Sequence, residues 1–125
     1  MIRVNVGGLA AQEIRDLVAQ IGGDQVEVRV VADIVGAKEV AQGKADYYLG
    51  ACATGAGGAL AMAIAILGYT SCFTASTAGK PPKEDEILKA VNSGKKAFGF
   101  TSDHVKSVVP LIVKAILAKH RESGG

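Results

Sequence analysis

The sequence has no tryptophan, and aromatic residues of any kind make up only 5% of its 125 residues. Its formal net charge is only +2, and its lysines are scattered rather than grouped in a basic stripe between aromatic residues. Because a nucleic-acid-binding surface normally has such a stripe, we expect no nucleic-acid partner. An apolar fraction of 49% with 21% charged residues is typical of a globular protein. We expect a single domain at residues 1–121, with 122–125 as a frayed C-terminal tail.

Cysteine and histidine are also scarce. Cys52 and Cys72 lack the spacing of a disulfide framework, so we interpret them as reduced thiols of a cytoplasmic protein, with an extracellular disulfide as the alternative. The two histidines, His104 and His120, lie at opposite ends of the last predicted helix without a carboxylate cluster. We therefore expect no metal site and no cofactor.

No charged residue occurs between Asp46 and Lys80, which raises the question of a membrane-spanning segment. The densest apolar run in this interval, Ala59–Leu67, is about half as long as the roughly 20 residues that a spanning helix needs. Glycines and hydroxyl side chains flank the run on both sides. We therefore expect a buried α/β core rather than a membrane span, and the strand-like start Met1–Val6 lacks the pattern of a signal peptide.

Apolar periodicity predicts five strands that alternate with five helices. The predicted strands are Ile2–Val6, Val26–Val31, Tyr47–Ala51, Ser71–Thr77 and Ala97–Thr101. The predicted helices are Ala10–Ile21, Asp33–Val40, Gly58–Leu67, Lys83–Asn92 and a last helix after Asp103, with a kink or a separate first turn at Pro110. This alternation indicates an α/β fold with a doubly wound, mostly parallel sheet and helices on both faces. The second strand alternates at period two, as edge strands do, and right-handed crossovers favour the order 2-1-3-4-5.

In that order, strands one and three are neighbours where the topology reverses, and ligands of such sheets bind beyond the carboxyl ends of these strands. A glycine-rich turn follows each of them. The residues of the two turns are Gly7, Gly8, Thr54, Gly55, Ala56, Gly57 and Gly58. Consecutive N–H groups at a helix N-terminus are suited to holding an anion. We therefore expect a small anionic metabolite, phosphorylated or carboxylated, to bind here; the alternative is that the glycines only permit tight turns.

Two candidate catalytic residues lie at the same edge of the predicted sheet. Cys52 precedes the second turn, whose amides would stabilise a thiolate, so it is a candidate general base or nucleophile. His104 follows strand five and is a candidate acid, base or anion contact. Asn5 and Thr74, near the ends of strands one and four, are candidate ligand contacts. For each residue the alternative is an ordinary structural role in a strand end, cap or turn.

The third predicted helix, Gly58–Leu67, is apolar on every side, because its alanines alternate with larger aliphatic residues. A helix that is apolar all round must be buried all round. In a small open sheet one side of it would face water, so we expect a homo-oligomer that covers this helix. Burial by a neighbouring helix alone is the alternative.

The segments Val40–Asp46 and Cys52–Ala61 resemble the central part of the B-type ribose-5-phosphate isomerases, which have a Cys-Gly-Thr-Gly-x-Gly motif after the third strand of the same fold. The resemblance implies that Cys52 is the base of an aldose–ketose proton transfer and that the turn holds the enediolate oxygen. It does not extend to the end of strand one, where those enzymes have an Asp-His pair. Over its full length, the chain is similar to the YhfU-like small bacterial proteins, a family of unknown function. The segments that carry this similarity are Asp46–Tyr48, Gly50–Cys52, Thr54–Gly57 and Ala97–Gly99.

Three hypotheses for the function follow. The first is an isomerase-like enzyme that uses Cys52 on a small anionic metabolite. The second is a non-catalytic binding or regulatory subunit that uses the same cleft. The third is a phosphoryl carrier like the IIB components of sugar phosphotransferase systems, although their cysteine follows strand one and not strand three.

Overall fold

The computed structural model describes residues 1–53, 58 and 60–124, which form a five-stranded sheet with helices on both faces. The strands are β1 (Ile2–Gly8), β2 (Val26–Val30), β3 (Tyr47–Cys52), β4 (Cys72–Thr74) and β5 (Ala97–Thr101). The helices are α1 (Ala11–Gly22), α2 (Asp33–Ala41), α3 (Ala61–Leu67), α4 (Glu84–Asn92) and α5 (Val105–Gly124). Every strand pairs in parallel with its neighbours, so the expected doubly wound α/β fold is confirmed.

The strand order is β2-β1-β3-β5-β4, so the predicted order 2-1-3-4-5 is wrong in its last two strands. β5 is buried along its whole length, whereas β4 is short and ends at the exposed Thr74. Strands that are buried on both faces lie inside parallel sheets, and short strands with a wet end lie at the edges. β5 therefore lies between β3 and β4, and β2 is the edge strand on the other side, as expected.

Right-handed crossovers distribute the helices between the two faces of the sheet. On one face, α1, α4 and α5 pack over the main apolar core, whose largest buried side chains include Ile14, Leu49, Phe98, Phe100 and Ile112. On the other face, α2 and α3 cover a smaller cluster around Tyr48 and Leu60. Glycines allow this second layer to approach closely. A Cβ at Gly36 of α2 would lie 2.6 Å from the Tyr48 ring, and one at Gly99 would lie 2.6 Å from Leu60 Cγ.

The first, second and fourth helices match their predicted bounds to within one residue, and larger differences occur in the third and the last helix. α3 begins at Ala61 rather than at Gly58. α5 continues through Pro110, and the expected separate turn lies earlier, as a 3-10 turn at Ser102–His104. No helix in the described part of the chain is long and apolar enough to cross a bilayer.

Ala10, which precedes α1, has a φ of 57° and no side-chain cap. The left-handed conformation costs an alanine about 1–2 kcal/mol and a glycine almost nothing. We expect Ala10→Gly to raise the free energy of unfolding by about 0.5–1 kcal/mol, since this relief exceeds the extra entropy of an unfolded glycine. The control Ala19→Gly, at an exposed position inside α1, should lower it by about 1 kcal/mol. Urea denaturation measures both, and a loss of stability at position 10 would contradict the prediction.

Candidate functional site

Cys52 is the last residue of β3, and its register partner in β5 is Thr101. Register partners on parallel strands point to the same face of a sheet, and neighbouring strands lie about 4.8 Å apart, so the two side chains are direct neighbours. Gly58 lies against the same cysteine, because a Cβ at this glycine would be 3.6 Å from Cys52 Cβ and 3.9 Å from its Sγ. The strand order that the sequence missed is therefore what puts Cys52 beside the end of β5.

The end of β5 contains a hydrogen-bonded group that we call the His104 cluster: Ser76, Thr101 and His104. Thr101 Oγ1 lies 2.6 Å and Ser76 Oγ lies 3.0 Å from His104 Nδ1. The hydroxyl oxygens are 3.3 Å apart, and the Thr101 N–H donates to Ser76 Oγ. Both hydroxyl residues are buried, while the His104 side chain is 19% exposed. Since the hydroxyls occupy Nδ1, the Nε2 atom remains for a ligand.

The His104 cluster is suited to proton transfer because each hydroxyl can donate a proton or accept one. Nδ1 accepts a hydrogen bond when it is unprotonated and donates one when it is protonated, so the ring keeps its orientation in both tautomers. Asp103 lies 3.9 Å from Nδ1, but its carboxylate is 73% exposed and contributes little. A thiol and an imidazole, on either side of Thr101, thus share one edge of the sheet.

Asn5, a predicted ligand contact, is buried beneath α2. Its side-chain nitrogen donates to Glu39 Oε1 at 2.8 Å and lies 3.5 Å from the Gly36 carbonyl oxygen. The Asn5 hydrogen bond, together with the Arg29 guanidinium 3.0 Å from the same oxygen, holds the pKa of Glu39 below its usual range although burial opposes this. These contacts give Asn5 a structural role in fixing α2 on the sheet, and a role in ligand binding stays a prediction.

Gly7 and Gly8, at the end of β1, pair with Gly50 and Ala51 of β3. A Cβ at Gly7 would be 2.7 Å from Tyr48 Oη and 2.8 Å from Asp33 Oδ1. Gly8 has a φ of +78°, and a Cβ there would be 2.3 Å from the Ala51 carbonyl oxygen. Packing against β3 therefore requires both glycines, whatever ligand they meet.

Tyr48 was not singled out by the sequence, although its side chain packs against glycines of β1, α2 and β3. It is fully buried, and its hydroxyl donates to Asp33 Oδ1, at the start of α2, at 2.5 Å. Burial, followed by the neighbouring carboxylate, raises the pKa of Tyr48 far above its usual value, so the phenol stays protonated. The glycines at positions 7, 36 and 50, which surround this aromatic ring, were the available sequence signal.

A cavity of about 420 Å³ lies beyond the carboxyl end of β4. Its lining includes Thr74, which the sequence predicted as a ligand contact, and Ser76, which is also part of the His104 cluster. Two lysines that the sequence did not single out, Lys80 and Lys83, line it as well. The cavity and the His104 cluster therefore share one residue, Ser76.

Four of the predicted site residues, Thr54, Gly55, Ala56 and Gly57, lie outside the described residues, so their role in holding an anion stays a prediction. Among the predicted residues that are described, Cys52, Gly58 and His104 come together at the ends of β3 and β5. Thr74 lies one strand further on, and Asn5 lies under α2. Ser76 and Thr101 were not predicted as hydrogen-bond partners of His104, although β4 and β5 are neighbours in the predicted order as well as in the observed one.

The two thiols differ in accessibility. Cys52 is half-buried at the sheet edge, whereas Cys72 is only 7% exposed, and burial raises the pKa of its thiol. Because the thiolate is the form that reacts, we expect iodoacetamide at neutral pH to alkylate Cys52 at least tenfold faster than Cys72. Peptide mass spectrometry of a time course measures both rates, with the urea-unfolded protein as control. Equal rates in the native protein would contradict this description of the sheet edge.

The fold and this edge define a class of protein: a doubly wound, parallel α/β domain with a thiol and an imidazole at the carboxyl ends of its central strands. The chain belongs to the family described as "Protein of unknown function DUF2620", which matches residues 2–116. Uncharacterized protein YhfU of Escherichia coli strain K12 is 36% identical over 113 residues, which cover 90% of this chain and 97% of that protein. The YhfU protein of Shigella flexneri matches equally well.

Two solved structures have the same fold. The ribose-5-phosphate isomerase B of Giardia lamblia superposes with a TM-score of 0.62 at 18% identity, over 99% of this chain and 96% of that one. The ribose 5-phosphate isomerase of Thermotoga maritima gives a TM-score of 0.64 at 18% identity, over 94% and 86%. At this identity the likeness shows the fold alone. Both resemblances found in the sequence, to the YhfU-like proteins and to the B-type isomerases, are confirmed.

Proposed function

We propose that this protein binds a small anionic metabolite, of the sugar-phosphate kind, at the carboxyl edge of β3 and β5 and transfers a proton beside its carbonyl group. The observation that supports this most is the register pairing of Cys52 with Thr101, whose hydroxyl lies 2.6 Å from His104 Nδ1. Proton transfer beside a carbonyl needs a base at carbon and an acid at oxygen within reach of one substrate. Cys52 and His104 supply these two groups.

In the proposed reaction the Cys52 thiolate removes the proton from the carbon next to the carbonyl, while His104 protonates the carbonyl oxygen through Nε2. The enediol that results is converted to the isomeric carbonyl compound when the thiol returns its proton to the neighbouring carbon and His104 takes one from the other oxygen. No oxidant or co-reactant is needed. The hydroxyls of Ser76 and Thr101 hold the imidazole in place through both steps.

The titles of the two solved neighbours favour sugar phosphates as the substrate class to test first. The end of β1 reads Asn-Val-Gly-Gly where those isomerases have an Asp-His pair, and Asn5 is bonded to Glu39. The substrate panel should therefore extend beyond ribose 5-phosphate to aldose and ketose phosphates of about 3–6 carbons, a size that small-molecule sites accommodate.

We further propose a cytoplasmic homo-oligomer. In a single chain, Ala63 is the buried residue of α3, while Met62 is 38% exposed and Tyr69, just beyond the helix, is 77% exposed. Such an apolar surface is typical of a subunit contact, and two thiols suit a reducing compartment. Static light scattering tests the assembly, because a mass equal to the 12.8 kDa chain would contradict it.

Exchange of substrate hydrogen with solvent deuterium tests the proposed function. The protein is incubated in D₂O with each member of the panel, and proton NMR follows the signal at the carbon next to the carbonyl. We expect at least one phosphorylated sugar to exchange, and the same compound to raise the melting temperature. Stabilisation without exchange would favour the alternative of a non-catalytic binding subunit. The absence of both stabilisation and exchange with every member of the panel would contradict the proposal.

A further inference from the structure

The cavity beyond β4 has no role in the proton transfer proposed above, yet hydroxyl-bearing residues and two lysines line it. It is lined by the end of β4, the loop that follows and the first turn of α4. At about 420 Å³ it falls within the roughly 300–1,000 Å³ that small-molecule sites occupy. Its polar lining residues are Thr74, Ser76, Thr77, Lys80, Lys83 and Glu86.

Lys80 and Lys83 belong to a loop whose backbone conformation is restricted. Thr77 and Lys80 exchange two backbone hydrogen bonds, of 2.9 and 3.2 Å, around a tight turn. Gly79 in that turn has a φ of +78°, a conformation that glycine adopts without strain. Two prolines, each with a restricted φ, then separate Lys80 from Lys83, which directly precedes α4. These features restrict the backbone conformations of the loop, and the two lysines lie on either side of the prolines.

The charges of the cavity favour an anion. Lys83 Nζ lies 3.9 Å from Glu86 Oε2, but the two side chains are 70% and 58% exposed, so this ion pair is weak. Within the described part of the chain, the Lys80 ammonium has no ion pair or hydrogen bond. Two lysines and one glutamate therefore line the cavity. An anion that entered would meet a positive charge that no described side chain neutralises.

The buried Ser76 hydroxyl connects this cavity to the proposed reaction, because it lines the cavity and also lies 3.0 Å from His104 Nδ1. A metabolite with its carbonyl group between Cys52 and His104 would therefore extend towards the lysines. Two cations and the hydroxyls of Thr74 and Thr77 offer more donors than the two oxygens of a carboxylate accept well. They match the charge and the three terminal oxygens of a phosphoryl group.

We propose that the cavity holds the phosphoryl group of the metabolite, with Lys80 and Lys83 as its cationic contacts and the hydroxyls of Thr74 and Thr77 as neutral donors, while the Ser76 hydroxyl stays bonded to His104. This subsite rests on the proposed function, since it positions a substrate whose carbonyl lies at Cys52 and His104. It also defines the substrate class more narrowly, as an open-chain sugar phosphate that spans from the phosphate site to the ends of β3 and β5.

Titration with inorganic phosphate at constant ionic strength, followed by calorimetry or ³¹P NMR, tests the subsite without any substrate. We expect saturable binding to the wild type and about tenfold weaker binding to Lys80→Gln, the loss of one charge-assisted contact. Glu86→Gln should bind phosphate several-fold more tightly, because it removes the competing carboxylate. Lys38→Gln is the matched control, since it removes an exposed lysine charge from α2 on the other face of the sheet and should leave the affinity unchanged.

The difference between Lys80→Gln and Lys38→Gln is the decisive part of this test, because a general loss of positive charge would weaken phosphate binding in both lysine variants alike. Equal affinities of Lys80→Gln and Lys38→Gln, or no saturable phosphate binding in the wild type, would overturn the subsite. The two proposals fail separately. Deuterium exchange with an unchanged KM in Lys80→Gln would remove the subsite and keep the proposed function. Phosphate binding that depends on Lys80, without deuterium exchange in any sugar phosphate, would keep the subsite and contradict the proposed proton transfer.

Discussion

Replacing Gly8 with alanine should lower the free energy of unfolding by about 2–5 kcal/mol, a large part of the roughly 5–15 kcal/mol that stabilises a domain. The new Cβ would lie 2.3 Å from the Ala51 carbonyl oxygen, and the left-handed φ of +78° adds its own strain. That carbonyl also accepts a hydrogen bond of 3.0 Å from the Leu9 N–H. The variant therefore disrupts the end of β3, next to Cys52.

Gly43→Ala is the matched control for this variant. Gly43 has nearly the same φ, +76°, but an added Cβ would have no heavy atom within 4 Å. We expect it to cost only the conformational strain, about 1–2 kcal/mol. Urea denaturation followed by circular dichroism gives both values. Equal losses would mean that β1 and β3 are not as close at this point as the structure has them.

Cys52→Ser and His104→Gln should each reduce deuterium exchange into a sugar phosphate by about 10²–10⁴-fold, the usual contribution of a positioned acid or base. Serine is a far weaker base than a thiolate, and glutamine keeps a hydrogen-bonding group near Thr101 and Ser76 but has no titratable proton. The fold should persist in both variants, because neither side chain belongs to the buried apolar core.

The chain offers its own controls for these two variants. Cys72→Ala changes the buried cysteine of the α2 and α3 layer, and His120→Gln changes the histidine whose Nε2 lies 3.0 Å from the Tyr47 hydroxyl. Both should leave exchange within about twofold of the wild type, even where they lower stability. Comparable losses in the controls would show that exchange responds to stability and not to the two proposed groups.

The fold was largely predictable because its signals are local. Strand and helix periodicity, glycines at turns and the alternation of elements all follow from neighbouring residues, and they led to a doubly wound sheet with β2 at one edge. The positions of β4 and β5 depend on which of the two strands is buried on both faces, and this is decided by residues that are far apart in the sequence. The mostly apolar β5 and the hydroxyl side chains at the end of β4 were visible signals, but chain order alone favoured the simpler arrangement.

The site was predictable in its location more than in its contacts. A cysteine at the end of the third strand and a histidine after the fifth are sequence features, and both lie at the carboxyl edge. The pairing of Cys52 with Thr101 required the strand order, and the bond from Ser76 to His104 joins residues 28 positions apart. The structural roles of Gly7, Gly8 and Asn5 depend on Tyr48 and α2, which no single motif indicates.

Protection of Cys52 from alkylation tests the central claim most directly, namely that an anionic metabolite binds beside this thiol. The rate of iodoacetamide modification is measured by peptide mass spectrometry, with and without the sugar phosphate that raises the melting temperature most. We predict that a saturating concentration slows modification of Cys52 at least tenfold, because the bound ligand covers the sheet edge. A compound that stabilises the protein but leaves the Cys52 rate unchanged would place its binding elsewhere and contradict the account.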